Sequence, residues 1–144
     1  EIAAAILAVL EKQKLVAEGA GAVAIAAAMY RKLELAGKTV CALLSGGNVD
    51  VTMLERIITH GLAKAGRTVS FATILPDHPK TLATFLDAVS SLGVNVLEVN
   101  HERSNMQAPI GSCVVQMLVE TRNHGHIDEL FAHLRRQGYV IIPR

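Results

Sequence analysis

The sequence predicts an α/β segment followed by a separate α+β domain. Residues 1–66 contain three apolar helical patterns around a single apolar strand pattern. Residues 67–144 contain four strand patterns and two amphipathic helical patterns in the order β-α-β-β-α-β. This order is typical of the ferredoxin-like unit. The hydrophobic pattern changes at residues 66–68, and we expect the domain boundary there.

The composition excludes several classes of protein. Half of the 144 residues are apolar (51%) and 19% are charged, which is typical of a packed globular protein. A net charge of +1 and few aromatic residues (3%) argue against nucleic-acid binding. The apolar run at residues 2–10 is too short to span a membrane and lacks the basic start of a secretory signal. Cys41 and Cys113 lie in apolar runs and are predicted to be buried free thiols, so we expect a cytoplasmic protein.

The first half is predicted to contain helices at residues 2–13, 19–32 and 50–64. The first helix begins without an N-cap residue and is apolar on nearly all sides, which is typical of a helix buried in a larger protein. Residues 39–44 are predicted to form a buried strand that has no partner in this half. An unpaired strand leaves its backbone groups unsatisfied, so we expect the sequence to be a piece of a longer chain.

The second half is predicted to be a complete domain. Strands are expected at residues 69–75, 94–102, 112–121 and 139–142, helices at 80–92 and 127–137, a turn at 76–79 and a loop at 104–111. One face of the sheet is expected to be covered by the apolar side chains of the helices, which are Leu82, Phe85, Leu86, Val89, Leu130, Phe131 and Leu134.

Three patterns match known sites poorly. Residues 19–24 fit G-x-G-x-x-A, but the next strand ends in Ser45 rather than in the acidic residue that would hold a ribose. Residues 37–39 end like a phosphate loop but precede a strand instead of following one. The remaining pattern consists of His124, His126 and His133. No Cys or carboxylate cluster completes a site with them, so a solvated helix start is the preferred interpretation and no metal site is predicted.

The segment Ser45-Gly46-Gly47-Asn48 follows the predicted strand and precedes a helix. In open α/β sheets, ligands bind at this carboxyl end of a strand. The paired glycines allow a planar ligand to approach the backbone, and the Ser45 hydroxyl can donate or accept a hydrogen bond. By spacing alone, a tight strand–helix turn without a ligand is an equally good interpretation.

Residues 44–50 and 15–22 together resemble the end of the catalytic domain of threonine dehydratases and serine racemases, which are fold-type II pyridoxal-phosphate (PLP) enzymes. The resemblance implies that Ser45 hydrogen-bonds the pyridine nitrogen of PLP and that Gly46 also contacts the cofactor. It places Glu18 and Gly19 under the same ring. A hydroxyl partner leaves the nitrogen unprotonated, which makes PLP a milder electron sink and suits β-elimination.

Residues 74–79 and 93–96 resemble an ACT domain, a regulatory domain that binds amino acids, often between two paired copies. The resemblance implies an amino-acid effector held by Asp77 and Asn95, and a homo-oligomer formed through these domains. The family pattern usually has Gly where this chain has Lys80. The Lys80 side chain either crowds the effector or holds its carboxylate.

Taken over the whole chain, the resemblance implies the C-terminal part of a threonine dehydratase. Residues 1–66 would be the end of its catalytic domain, and residues 67–144 its ACT domain. The parent would deaminate L-threonine to 2-oxobutanoate and ammonia, with L-serine as a second candidate substrate.

The catalytic groups of such enzymes are not matched in this chain. The lysine that forms the Schiff base and the glycine-rich loop for the PLP phosphate lie earlier in the family pattern. No catalytic residue is therefore predicted here, and the chain alone is expected to be inactive. The alternative is a free-standing ACT-type module that binds an amino acid or only dimerises.

Overall fold

The structure, a computed structural model, describes residues 1–104 and 108–144 and divides into two compact units, Glu1–Leu62 and Ala63–Arg144. We call them unit 1 and unit 2. The helices are α1 (Ile2–Gln13), α2 (Val23–Met29), α3 (Val51–Lys64), α4 (Thr81–Ser90) and α5 (His124–Arg136). The strands are β1 (Thr68–Pro76), β2 (Asn95–Glu102), β3 (Ser112–Glu120) and β4 (Ile142–Pro143). The domain boundary expected at residues 66–68 stays a prediction.

Unit 1 has a small core made mainly of alanines. Its buried members are Ala5, Ile6, Ala17, Ala22 and Ala26, with Ile25, Leu44, Leu54 and Ile57 packed against them. The small side chains allow the backbones to approach closely. The first predicted helix is confirmed as α1, which ends at Lys14 in the left-handed conformation (φ 59°).

The strand predicted at residues 39–44 is wrong. No ladder forms there, and all of these residues except Leu44 are exposed. A strand is stable only when a neighbour pairs with its N–H and C=O groups, and no strand lies in the described part of unit 1. Cys41 is therefore exposed rather than buried, whereas Cys113 is buried as predicted.

The helix predicted at residues 19–32 is shorter than expected. Residues 19–22 form turns, and α2 occupies only Val23–Met29. Arg31 then adopts the left-handed conformation (φ 52°), which ends the helix. An alanine-rich pattern indicates helical propensity, but these turns and close backbone contacts limit the helix.

Unit 2 contains a four-stranded antiparallel sheet with the strand order β2-β3-β1-β4. Strands β1 and β3 pair from Thr68 opposite Glu120 to Pro76 opposite Ser112. Strand β2 pairs with the other side of β3, and the short β4 pairs with the middle of β1. The predicted ferredoxin-like fold class is confirmed.

The core of unit 2 lies between one face of this sheet and the two helices α4 and α5. The predicted face is confirmed: Phe85, Val89, Leu130, Phe131 and Leu134 are buried, and Leu82 and Leu86 pack against them. They meet alternate residues of β1 and β3, because successive side chains of a strand point to opposite faces. Phe71 and Phe131 form an edge-to-face pair with ring centroids 5.4 Å apart.

Several boundaries differ from the sequence pattern by a few residues. Helix α5 begins at His124 because the Asn123 side chain caps it, accepting a hydrogen bond from the His126 N–H at 3.0 Å. The predicted loop at 104–111 includes residues 105–107, which lie outside the described residues. Within the described ranges, none of the helices has the length and hydropathy needed to cross a membrane.

Candidate functional site

The residues of unit 1 that the resemblance assigns to a cofactor gather at one turn. The Glu18 N–H donates to the Gly46 carbonyl at 3.1 Å. The Glu18 side chain lies against Gly46, so that a β-carbon at position 46 would lie 2.5 Å from Glu18 Cδ. Gly46 also has a φ of +73°, which side chains rarely allow. Position 46 therefore requires glycine for both space and conformation.

The backbone of Ser45 is held by a second close approach. A β-carbon on Gly21 would overlap the Ser45 carbonyl group, so the two segments meet backbone to backbone. Gly19 belongs to the same segment, and its carbonyl accepts from the Ala22 N–H at 3.3 Å. Ser45 and Gly46 are both exposed. A hydroxyl beside an uncovered glycine backbone fits one edge of a flat heteroaromatic ring.

The candidate effector site of unit 2 is a cleft of about 260 Å³ at the end of β1. We call it the sheet-end cleft; it is lined by Pro76, Asp77, His78, Pro79, Lys80, Thr81, Leu82, His101, Arg103 and Cys113. The Asp77 N–H donates to the Gly111 carbonyl at 2.8 Å, which continues the β1–β3 pairing one step beyond the strand. Asp77 is thereby fixed at the cleft.

Asp77 has a charged partner that its sequence context does not indicate. The Arg103 Nε donates to Asp77 Oδ1 at 3.1 Å. Arg103 directly follows β2, and it lies beside Asp77 because β2 and β1 both pair with β3. Below this pair lies Cys113. Burial raises the pKa of the Cys113 thiol, and the Asp77 carboxylate raises it further, while Arg103 opposes the rise.

Lys80 lines the same cleft and is the N-cap residue directly before α4, where it adopts the left-handed conformation with φ 71°. Glycine adopts this conformation without a steric penalty, and lysine does not. The structure thus gives a physical reason for the glycine that is usual at this position in the pattern that the chain resembles.

Asn95 lies at the opposite end of the sheet from Asp77. Asn95 pairs with Glu120 at the end of β3, whereas Pro76, which precedes Asp77, pairs with Ser112 at its start. The nine residues of β3 separate them by about 25–30 Å at the usual rise per residue. Asn95 lines another cleft, of about 190 Å³, where its Nδ2 donates to Glu120 Oε2 at 3.4 Å. One chain alone does not bring Asp77 and Asn95 to one ligand.

His126 is buried, which corrects the prediction that it belongs to a solvated helix start. Its Nδ1 accepts from the Arg122 N–H at 3.2 Å. The proton is then assigned to Nε2, which donates to the Leu92 carbonyl at 3.1 Å. The apolar periodicity of α5 predicts that Ile127, Leu130 and Leu134 are buried. It gives no signal that His126, the polar residue directly before Ile127, is buried as well.

The fold first defines a class: a ferredoxin-like α+β domain preceded by a helical segment with a serine–glycine turn. Comparison with curated proteins then identifies the family. The chain is 46% identical over 141 residues to L-threonine ammonia-lyase of Thermotoga maritima, and 42% identical over 142 residues to that of Geobacter sulfurreducens. Each match covers 98% of this chain and 35% of the relative. The chain belongs to the threonine ammonia-lyase (threonine dehydratase) family.

A more distant relative points the same way. The chain is 35% identical over 94 residues to the biosynthetic L-threonine dehydratase of Lactococcus lactis, a match that covers 65% of this chain and 22% of the relative. No protein-family model matches the chain. The chain spans about a third (35%) of the length of the first two relatives. Family membership is therefore established, whereas the activity of the whole protein is a proposal.

Proposed function

We propose that the chain is the C-terminal part of a PLP-dependent enzyme that deaminates L-threonine to 2-oxobutanoate and ammonia, with L-serine as a second candidate substrate. The gathering of Glu18, Ser45 and Gly46 at one turn is the observation that carries the proposal. The identity to L-threonine ammonia-lyases over 98% of this chain supports it.

Each residue of the turn has a role toward the cofactor. When bound, PLP would supply the electron sink for deamination. The Ser45 hydroxyl would hydrogen-bond the pyridine nitrogen and leave it unprotonated. Gly46 would let the ring lie close to the backbone, and Gly19 would do the same from the neighbouring segment. Glu18, whose backbone is bonded to Gly46, would hold the two segments together.

The exposed apolar side chains of unit 1 support the proposal that a larger catalytic domain surrounds it. Leu43 and Val51 are each 79% exposed, and Leu33 is 57% exposed. Exposed apolar patches mark surfaces that other protein segments cover. We propose that the remainder of the catalytic domain, including its lysine and phosphate loop, covers this surface.

The test uses the full-length product of the gene. We expect it to bind PLP and to form 2-oxobutanoate from threonine, whereas residues 1–144 mixed with PLP should show no turnover above that of free PLP. Ser45→Ala should lower kcat/KM at least about tenfold and change the absorption of bound PLP, because one hydrogen bond to the ring is lost. Ser104→Ala, in unit 2, is the matched control.

The same experiment separates the alternative function. A native protein whose intact mass corresponds to a start near Glu1, and which binds no PLP, would overturn the enzyme proposal. The chain would then be a free-standing amino-acid-binding or dimerisation module.

We further propose that unit 2 is an ACT-type regulatory domain that acts as a pair. Strand β2 is an edge strand, and its Leu97 and Val99 are 50% and 38% exposed. Edge strands are templates for pairing with a second chain. An antiparallel pairing of β2 with β2 of a second copy, centred on the strand, would place residue 95 of one copy opposite residue 102 of the other. Asn95 would then approach the sheet-end cleft of the partner.

In such a pair, an amino-acid effector would have its ammonium near Asp77 of one copy and its carboxylate near Asn95 of the other, with Lys80 beside it. To test this site, isoleucine, valine, threonine and serine are each titrated into the protein by calorimetry, with a chelator present. Light scattering measures the mass of the protein and so shows whether it forms a pair. Asp77→Ala should weaken binding about tenfold or more, since a charged hydrogen bond contributes about 1.5–3 kcal/mol. Asp87 is an exposed carboxylate on α4, and the control variant Asp87→Ala should bind the effector normally. A monomer that binds none of the four amino acids would contradict the proposal.

A further inference from the structure

Three side chains that can ligate a metal ion meet at one end and on one face of the sheet in unit 2. Leu75 pairs with Cys113, so Asp77, two residues after Leu75, lies on the same face as Cys113. His101 pairs with Val115, two residues after Cys113, and so lies on this face as well. The antiparallel register brings the three together from three different strands or strand ends.

The spacing of their ligand atoms suits a small cation. One ligand atom from each of Asp77, His101 and Cys113 lies within 4.8 Å of the other two. Tetrahedral zinc, with bonds of about 2.0–2.3 Å, holds its ligand atoms roughly 3.5 Å apart. Cys113 is buried in the core, whereas Asp77 and His101 are exposed, so their side chains have more room to adjust. Movements of about 1 Å therefore close the site.

The surroundings of Asp77 suit a ligand role. Arg103 holds Oδ1 through its Nε at 3.1 Å, which leaves Oδ2 to bind an ion. Carboxylates that ligate metals are commonly oriented by such a hydrogen bond. The guanidinium and the Lys80 ammonium in the same cleft oppose a cation, and the Asp77 carboxylate offsets them in part. The Cys113 thiol would release its proton to water as the ion binds, because the thiolate is the form that ligates a metal.

We propose that Asp77, His101 and Cys113 bind a zinc-class divalent ion in the sheet-end cleft. A thiolate, an imidazole and a carboxylate are ligands that zinc accepts, and three protein ligands leave one coordination position for water or another small ligand. The ion would tie the end of β1, the end of β2 and the start of β3 together. The site lies within one chain and so does not require the proposed pairing or PLP, but the ion and an effector ammonium would compete for the Asp77 carboxylate.

Cobalt(II) is the probe, since it substitutes for zinc and has visible absorption. Residues 1–144 are titrated with cobalt chloride in the presence of a non-thiol reductant. We expect one equivalent to give the strong ligand-field bands of tetrahedral cobalt and a sulfur-to-cobalt charge-transfer band, both removed by added zinc. His101→Gln should weaken cobalt binding about 100-fold, since even residues behind the ligands commonly contribute 10–100-fold.

The control is Cys41→Ser, which removes the exposed thiol of unit 1 and should leave the bands unchanged. Cys113→Ser should abolish the charge-transfer band, and circular dichroism verifies that each variant is folded. Weak octahedral bands only, full bands in His101→Gln, or bands lost in Cys41→Ser would each overturn the proposal. The amino-acid titration is done with a chelator, so its outcome is independent of this one.

Discussion

Thr73 places a hydroxyl in the core of unit 2 without a hydrogen-bond partner among the described residues. The residue is 0% exposed. A buried hydroxyl left unpaired costs about 1–3 kcal/mol, and valine has nearly the same shape without the hydroxyl. We predict that Thr73→Val raises the free energy of unfolding by about 1 kcal/mol, measured by urea unfolding.

Thr121 is the matched control for this prediction. It is also buried, but its Oγ1 donates to the Gly66 carbonyl at 2.6 Å. Thr121→Val should therefore lower the free energy of unfolding, because the Gly66 carbonyl loses its partner. Equal destabilisation of both variants would show that the Thr73 hydroxyl is satisfied in solution.

The Asp50 carboxylate makes the stability of α3 in unit 1 depend on pH. Its Oδ1 accepts from the N–H and the hydroxyl of Thr52, at 2.8 and 2.9 Å. These bonds lower the pKa of Asp50 below 3.8. A lowered folded-state pKa means that the carboxylate stabilises α3 above pH 3.8 and that this contribution is lost as the pH falls through the lowered value.

We predict that Asp50→Asn makes the helical circular-dichroism signal less dependent on pH below 3.8, because Asn can cap the helix but does not titrate in this range. Asp50→Ala should lose helical signal already at neutral pH. Acid profiles that are identical in the native chain and in Asp50→Asn would contradict a role for the Asp50 charge.

At the scale of elements, the N-cap residue directly before α4 has a strained backbone. Lys80 has a φ of 71°, and a non-glycine residue in this conformation costs about 1–2 kcal/mol. Glycine removes this cost but makes the unfolded chain more flexible. We predict that Lys80→Gly raises the free energy of unfolding of unit 2 by up to about 1 kcal/mol.

A glycine placed inside a helix should have the opposite effect. Lys12→Gly, in α1, should destabilise its unit by about 1 kcal/mol, since lysine is there in an ordinary helical conformation. Thermal unfolding monitored by circular dichroism measures both variants. Destabilisation by Lys80→Gly would mean that the lysine side chain makes a contact stronger than the strain.

The elements of unit 2 could be predicted because local periodicity and partner strands occur in the same stretch of sequence. The alternation around Phe71 and the helical spacing of Phe85 and Val89 have a matching surface within unit 2. Residues 39–44 have an equally apolar pattern but no strand to pair with in the described part of unit 1. Periodicity indicates what a segment can form, whereas hydrogen bonding with neighbours decides whether it does.

The two candidate sites also differ in whether sequence alone can predict them. Ser45 and Gly46 are adjacent in sequence, so a local motif is enough to mark them as candidate cofactor contacts. The sheet-end cleft joins Asp77, Arg103 and Cys113, and their proximity depends on the register of three strands. One sequence without its pairing register carries no signal for that contact.

At the scale of the whole molecule, the two units differ in how much apolar surface they bury. Helix α3 has no buried residue, whereas α4 and α5 each bury one face. We predict that limited trypsin digestion removes unit 1 and leaves a resistant product that begins near Thr68, identified by mass spectrometry. Unit 2 has exposed trypsin cleavage sites at Lys80, Arg103 and Arg122. If unit 2 stays intact, its resistance therefore comes from its folded structure and not from a lack of cleavage sites. Uniform resistance along the chain would contradict this difference.

In the proposed pair of unit 2 domains, the length of β3 would also determine how an effector acts. Asp77 and Asn95 lie at opposite ends of that strand. Each copy in a symmetric pair would therefore contribute half of each ligand site, and the pair would have two equivalent sites. Effector affinity would then rise with protein concentration, since dissociation of the pair dismantles both sites. By linkage, the effector would strengthen association by the same factor by which association strengthens effector binding.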